Sequence, residues 1–157
     1  PGTSADGAAV VAEIVGTLGL PAPAPVVVDG SGLASENHIS CGAVNALLDR
    51  LGPDDAALEG LPVAGETGTL SIRFLDSPVT GRLRAKTGTL NQVSALAGFV
   101  DTEPGSTLTF SFIVNLPTGD VVDAADLAIQ DELAAALVRY PEGPALELLA
   151  PIPLPES

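Results

Sequence analysis

Two apolar runs separated by a short turn constrain this chain more than any other feature. Val93-Ser94-Ala95-Leu96-Ala97-Gly98-Phe99-Val100 is almost free of polar side chains. Thr107 to Val114 alternates Leu108, Phe110, Phe112 and Val114 with Thr109, Ser111 and Ile113. The first reads as a strand buried on both faces, the second as a strand with one face in the core. Glu103-Pro104-Gly105-Ser106 between them is a turn signal that fits an antiparallel hairpin. A third run, Leu83-Arg84-Ala85-Lys86, alternates apolar and polar and adds a half-buried strand upstream.

Helical patterns flank this sheet. Val11, Ile14, Val15 and Leu18 fall at helical spacing between Asp6 and Leu18, and Gly19 stops that helix. Pro21, Pro23 and Pro25 make an extended connection to Val26-Val27-Val28, read as a short strand, and to the tight turn Asp29-Gly30-Ser31-Gly32-Leu33. Ser40 is a good N-cap, and Ile39 with Val44 has the spacing of a hydrophobic staple. Leu47, Leu48 and Leu51 would then face the core up to Gly52-Pro53. Residues 54–82 are irregular, with one helical turn expected through Arg73-Phe74. Val122, Ala125, Ile129, Leu133, Ala136 and Tyr140 step by three and four, which predicts a long helix packed on the sheet. The proline-rich residues 141–157 read as an extended strap. The expected class is α/β in a layered α+β arrangement, antiparallel strands covered by a C-terminal helix. Three strands under one helix make a thin domain, so we expect residues outside this chain to complete the sheet.

Composition excludes several functions. Six basic against twenty acidic residues give a formal charge of −14, which repels nucleic acid and anionic lipid. No apolar run reaches the roughly eighteen residues of a membrane span. The chain opens on Pro1 without a basic and apolar leader, and we read it as a processed or excised piece. Cys41 is the one cysteine and His38 the one histidine, so no internal disulfide forms and no metal site or cofactor is expected.

The chemistry centres on Lys86-Thr87-Gly88, because Lys86 is the sole lysine. A cation beside a hydroxyl can hold a carboxylate, glycine lets a ligand approach the strand, and the next N–H can donate to an oxyanion. Four blocks in this chain carry a resemblance. They are Asp29-Gly30-Ser31-Gly32-Leu33 with Asn37, Leu61-Pro62-Val63-Ala64-Gly65 with Gly68-Thr69-Leu70 and Arg73, Lys86-Thr87-Gly88-Thr89, and Val93 to Val100. Together, over about residues 6–140, they resemble the penicillin-binding D-Ala-D-Ala carboxypeptidase/endopeptidases of the S13 type. The resemblance implies that residues 1–157 are the C-terminal part of a catalytic domain with the serine β-lactamase and transpeptidase-like fold. It implies acyl transfer by a Ser-x-x-Lys serine on D-Ala-D-Ala peptides of peptidoglycan, inhibition by β-lactams, and an extracytoplasmic location. Lys86 and Thr87 would orient the terminal carboxylate and help the proton relay, and Gly88 would open the strand edge. Thr89 would give half of the oxyanion hole, with Leu90 and Asn91 beside the substrate pocket.

The departures are as informative. Ser-x-x-Lys is absent, because Leu83 stands three before the only lysine. The nucleophile is therefore expected from an upstream segment or a companion chain, and these residues alone would be inert. Ser35-Glu36-Asn37 has the form of the family's second motif, Ser-x-Asn, but that motif lies upstream of the Asp-Gly-Ser-Gly-Leu turn, so Ser35 is read as a decoy. Ala34-Ser35 replaces the Ser-Arg often found there, which leaves side-chain preference open. Ser31 reads as a turn hydroxyl. A non-catalytic peptidoglycan-binding or structural domain that retains the fold is the alternative, and a His38/Cys41 thiol hydrolase is a third reading.

Overall fold

In the computed structural model, residues 2–103 and 105–143 are described. The order is helix α1 (Ser4–Thr17), helix α2 (Cys41–Leu51), 3-10 turns at Ala56–Leu58 and Gly68–Leu70, strands β1 (Leu83–Thr89), β2 (Val93–Asp101) and β3 (Thr107–Asn115), and helix α3 (Ala124–Leu137). The strands form one antiparallel sheet in the order β1-β2-β3, as the alternation and turn signals anticipate. Most of the proline-rich strap lies outside the described residues.

Strand alternation sorts the side chains into two faces. Leu83, Ala85, Leu96, Val100 and Phe110 point toward α3 and form the buried cluster with Leu70 and Val138. Lys86, Gly88, Ala95, Ala97, Ser111 and Ile113 lie on the other face, where the Ser111 hydroxyl donates to the Cys41 carbonyl at the start of α2 (3.0 Å). Central strand β2 is buried toward α3 at Ser94, Leu96, Gly98 and Val100, and on its other face at Phe99. On the α2 side Ala95 and Ala97 are half-buried, because α2 packs chiefly over β3 and leaves that part of the sheet uncovered. The expectation of burial on both faces therefore holds along the α3 side and, on the α2 side, at Phe99.

The faces of α3 are reversed from the expectation. Ile129 and Leu133 are 50% and 45% exposed, and Tyr140 is exposed beyond the helix end. The buried residues are Gln130, Ala134 and Val138. A polar lock fixes this choice. The Arg73 guanidinium donates to Asp131 (2.7 Å), to Gln130 Oε1 (3.1 Å) and to the Leu127 carbonyl (3.2 Å). The Gln130 amide in turn donates to Ser94 on β2 (3.2 Å). A buried polar side chain is tolerated when every group finds a partner, and Gln130 finds one for each end. Asp131 is thus part of the lock, and Asp123 with Asp126 forms the capping box of α3.

Elsewhere the structure refines the expected elements. Ser40 caps α2 as expected, accepting from Ala43 N–H. Helix α1 forms with a Thr3–Asp6 capping box, but of its residues only Ala8 is buried, and Val11 and Ile14 are exposed. Val26 makes a single bridge to His38 instead of a strand, because Val28 N–H donates to the Asn37 side chain and the chain then turns. The helical turn expected at Arg73-Phe74 sits at Gly68–Leu70, and Phe74 takes a φ of 66° with its carbonyl held by the Thr80 hydroxyl (2.5 Å).

Asp29 builds the turn that follows. Its carboxylate accepts from the Ser31 hydroxyl (2.5 Å), the Asn37 amide (2.6 Å) and the N–H groups of Gly32, Leu33 and Ala34. These bonds, with those of Ser31 and Asn37 first, hold the carboxyl at about 2, below its ordinary 3.8.

Two outcomes follow from these contacts. Arg73→Ala should lower unfolding free energy by about 2–3 kcal/mol in urea titration, because it leaves Gln130 and Asp131 without their partner. The depressed Asp29 carboxyl stabilises the turn above its unfolded value and loses that contribution as pH falls from about 4 to about 2. Amide exchange of Gly32, Leu33 and Ala34 should accelerate over that window, and Asp29→Ala should show the fast rates at neutral pH. Unchanged rates in both would contradict the turn's dependence on Asp29.

Candidate active site

β1 is an edge strand whose outer side is half covered. Ala64 N–H donates to the Leu83 carbonyl (2.9 Å) and Ala85 N–H to the Pro62 carbonyl (3.0 Å), so residues 62–64 pair with the first part of β1. Backbone groups on a strand alternate in direction, so the N–H and C=O of Thr87 and Thr89 also point outward, past the end of that covering segment. This stretch is the open edge.

The sequence-identified residues gather there. Lys86 is exposed, and its ammonium curls around the edge to the Thr87 carbonyl (2.6 Å). The Thr87 hydroxyl bonds that of Thr69 (3.0 Å), a partner supplied by the Gly68–Leu70 turn. Lys86 and Thr87 lie on opposite faces of the sheet, so they can grip one ligand group only by straddling its edge. The role of Thr69 was not legible in the sequence, although the residue stood in one of the four matching blocks.

Gly88 is required neither by the backbone nor by packing. Its φ is not in the left-handed region, and a Cβ there would meet only the Ala95 methyl at 3.7 Å, an ordinary contact. Gly98 on β2 differs sharply: a Cβ would come within 2.1 Å of the Arg84 carbonyl oxygen and 2.7 Å of Ala85 Cα. Gly98 serves strand packing, whereas at Gly88 the described residues leave the surface bare.

Thr89, Leu90 and Asn91 continue from this edge into a cleft of about 1060 Å³. Leu90 N–H closes the β1–β2 hairpin on the Val93 carbonyl (2.8 Å), and the Asn91 carbonyl accepts from Val122 N–H (2.8 Å). Gln92 ties the same tip to Leu116 and Pro117. Ser35, Asn37 and His38 stand on the opposite wall, beyond the Asp29 turn, with Ala95 and Ile113 also lining the cleft. Lys86, Thr87 and Gly88 lie outside the cleft, on the strand that leads into it. The resemblance places a pocket beside Leu90 and Asn91, but the wall from Gly32 to Ser40 left no local signal, because it lies about fifty residues away in the chain.

The other sequence candidates do not join this edge. Ser31 donates to Asp29, whose carboxyl at about 2 is a weak base at neutral pH. The Ser35 hydroxyl donates to its neighbour Glu36 (3.1 Å). His38 pairs through its backbone with Val26, and among the described residues no hydrogen bond joins it to Cys41. No group of three His, Cys, Asp or Glu placed to hold a metal occurs among the described residues, and none of their helices is long and apolar enough to cross a membrane. The arrangement can bind a carboxylate with a cation and a hydroxyl. It can also pair with an extended peptide and present a backbone N–H to developing negative charge.

Known proteins share this architecture. A D-alanyl-D-alanine carboxypeptidase of Actinomadura sp. (strain R39) is 37% identical over 90% of this chain, which spans 28% of that protein. A carboxypeptidase of Mycobacterium tuberculosis is 41% identical over 57% of this chain and 21% of its own length. Among solved structures, penicillin binding protein 4 of Haemophilus influenzae complexed with a β-lactam superposes with a TM-score of 0.74 at 26% identity. That match covers 89% of this chain and 35% of the neighbour. The chain thus spans about a fifth to a third of these relatives' length. The family profile described as D-Ala-D-Ala carboxypeptidase 3 (S13) matches residues 1–139, and the chain belongs to that family.

Proposed function

We propose that residues 1–157 form the C-terminal part of the catalytic domain of a serine-type D-Ala-D-Ala carboxypeptidase and carry one wall of its active site. The observation that carries this reading is the open edge of β1, where the Lys86 ammonium, the Thr87 hydroxyl and the outward Thr89 N–H meet beside an unencumbered Gly88. Family membership and relatives named as D-Ala-D-Ala carboxypeptidases support the chemistry. The substrate is a peptidoglycan stem peptide, which sets the enzyme outside the cytoplasmic membrane. The nucleophile is a Ser-x-x-Lys serine that this sequence does not contain, so an upstream segment or companion chain supplies it.

In this scheme the peptide pairs with the open edge of β1 and offers its terminal carboxylate to Lys86 and Thr87. The serine oxygen attacks the penultimate carbonyl, whose developing negative charge is met by Thr89 N–H. The C–N bond breaks, the leaving D-Ala amine takes a proton, and water then cleaves the acyl ester. Lys86 gives up its bond to the Thr87 carbonyl when the carboxylate arrives, an exchange of one polar partner for a stronger charged one. Leu90 and Asn91 contact the peptide next to the acyl group. β-Lactams acylate the same serine.

Labelled β-lactam and peptide mapping test this directly. The full gene product should take label on a serine outside residues 1–157, and these residues alone should take none. Label on a serine within them would overturn the placement of the nucleophile. Absence of label from the full product would favour a non-catalytic peptidoglycan-binding domain. The two glycines give a second test. Gly88→Ala should keep unfolding free energy within about 0.5 kcal/mol while slowing acylation about tenfold or more, whereas Gly98→Ala should cost about 1–3 kcal/mol of stability. Equal acylation rates in wild type and Gly88→Ala would remove Gly88 from the site.

A further inference from the structure

The Thr69–Thr87 hydroxyl pair joins two segments whose positions are fixed independently of it. On one side, Leu70 is fully buried and its carbonyl accepts from Gly65 N–H (2.9 Å), so the Gly68–Leu70 turn is anchored in the core. Gly68 lets that turn lie against Pro62. Its φ is +54°, and a Cβ there would stand 3.0 Å from the Pro62 ring. The Pro62 carbonyl accepts from Ala85 N–H (3.0 Å), which sets the distance between turn and strand. On the other side, Thr87 is paired with Leu96 of β2. Thr69 is the exposed side chain that this frame presents to Thr87, 18 residues further along the chain.

Thr87 is held at two points. Its carbonyl accepts from the Lys86 ammonium (2.6 Å), and its hydroxyl bonds that of Thr69 (3.0 Å). The first contact is given up when a carboxylate draws the ammonium away, and Thr69 is then the side chain that still holds Thr87. A threonine χ1 has three staggered positions. The bond to Thr69 selects the one that keeps Oγ1 at the outer edge of β1, where the other two would put a methyl group or a hydrogen.

The pair also has a direction. A hydroxyl carries one proton and two lone pairs. As the pair stands, the Thr87 hydroxyl donates to Thr69 Oγ1. To meet a carboxylate, Thr87 must donate outward, and its oxygen then accepts from the Thr69 hydroxyl. The reversal needs only rotation of two O–H bonds, and no proton changes oxygen. Each bond in the run from Thr69 through Thr87 to the carboxylate polarises the next and strengthens it.

We infer that Thr69 is a positioning residue for the reaction: its hydroxyl fixes the Thr87 rotamer and donates to Thr87 Oγ1 while Thr87 donates to the terminal carboxylate of the ligand on the β1 edge. This rests on the reading of that edge as the peptide site.

The test uses the full gene product, its rate of acylation by a labelled β-lactam, and the NMR couplings of the Thr87 methyl carbon, which report χ1. Thr69→Val keeps the branched shape and removes the hydroxyl. It should slow acylation about five- to tenfold and replace a single Thr87 rotamer by an average, while the urea unfolding midpoint stays unchanged. Thr69→Ser restores the hydroxyl and should return acylation to within about twofold of wild type. In a Thr87→Val background, Thr69→Val should cost less than about twofold more, because both changes act through one hydroxyl. Acylation unaffected by Thr69→Val, Thr69→Ser as slow as Thr69→Val, or an undiminished loss in the Thr87→Val background overturns the inference and leaves the proposed activity standing. Rotamer averaging in Thr69→Val, with no acylation of any variant or of wild type, upholds the positioning of Thr87 by Thr69 and overturns the activity. Neither averaging nor acylation overturns both.

Discussion

The placement of Arg73 is the constraint on which the rest depends. Its guanidinium reaches Asp131, Gln130 and the Leu127 carbonyl, with the plane of Phe74 beneath it at 4.9 Å. Gln130 passes the connection to Ser94 in the central strand. One cation therefore ties three layers together: the irregular segment before the sheet, the sheet itself, and the helix on its back. A mostly nonpolar interface would hold these parts by burial alone, which is strong but tolerant of rotation and slippage. The polar lock adds direction, because each hydrogen bond is satisfied in one orientation of α3.

That direction propagates to the site. With Arg73 anchored, the Gly68–Leu70 turn and residues 62–64 lie along the outer side of β1. They cover its backbone at Leu83 and Ala85 and then turn away. An unpaired edge is ordinarily a hazard that proteins cover or charge. Here the uncovered part coincides with the sole lysine, a threonine hydroxyl and a glycine whose missing side chain the fold itself does not use. Where edge, charge and empty space coincide, a peptide strand is the partner we propose.

The sequence made some of this legible and hid the rest for identifiable reasons. β1, β2 and β3 were readable because period-two patterning and a turn signal leave few alternatives, and Lys86 drew notice by being alone. The orientation of α3 was not readable. That helix is apolar around much of its circumference, so spacing offered two stripes, and a glutamine with both ends satisfied decided between them. Val26 to Val28 had strand-forming residues but lost its pairing to the Asn37 side chain, a competition between side chain and backbone that patterning does not see. The cleft depends on the Asp29 turn meeting the hairpin tip across more than fifty residues, and Thr69 gains meaning only from its contact with Thr87. Long-range contacts of this kind leave no local signal.

The central claim is that the outward backbone at the open edge of β1 receives the reacting ligand. Amide hydrogen exchange at Thr89, in the full gene product before and after acylation by a β-lactam, tests it most directly. Leu90 N–H, already bonded to the Val93 carbonyl, serves as the internal control. The account predicts that Thr89 exchange slows about tenfold or more on acylation while Leu90 changes little. Acylation that leaves the Thr89 rate unaltered would contradict it.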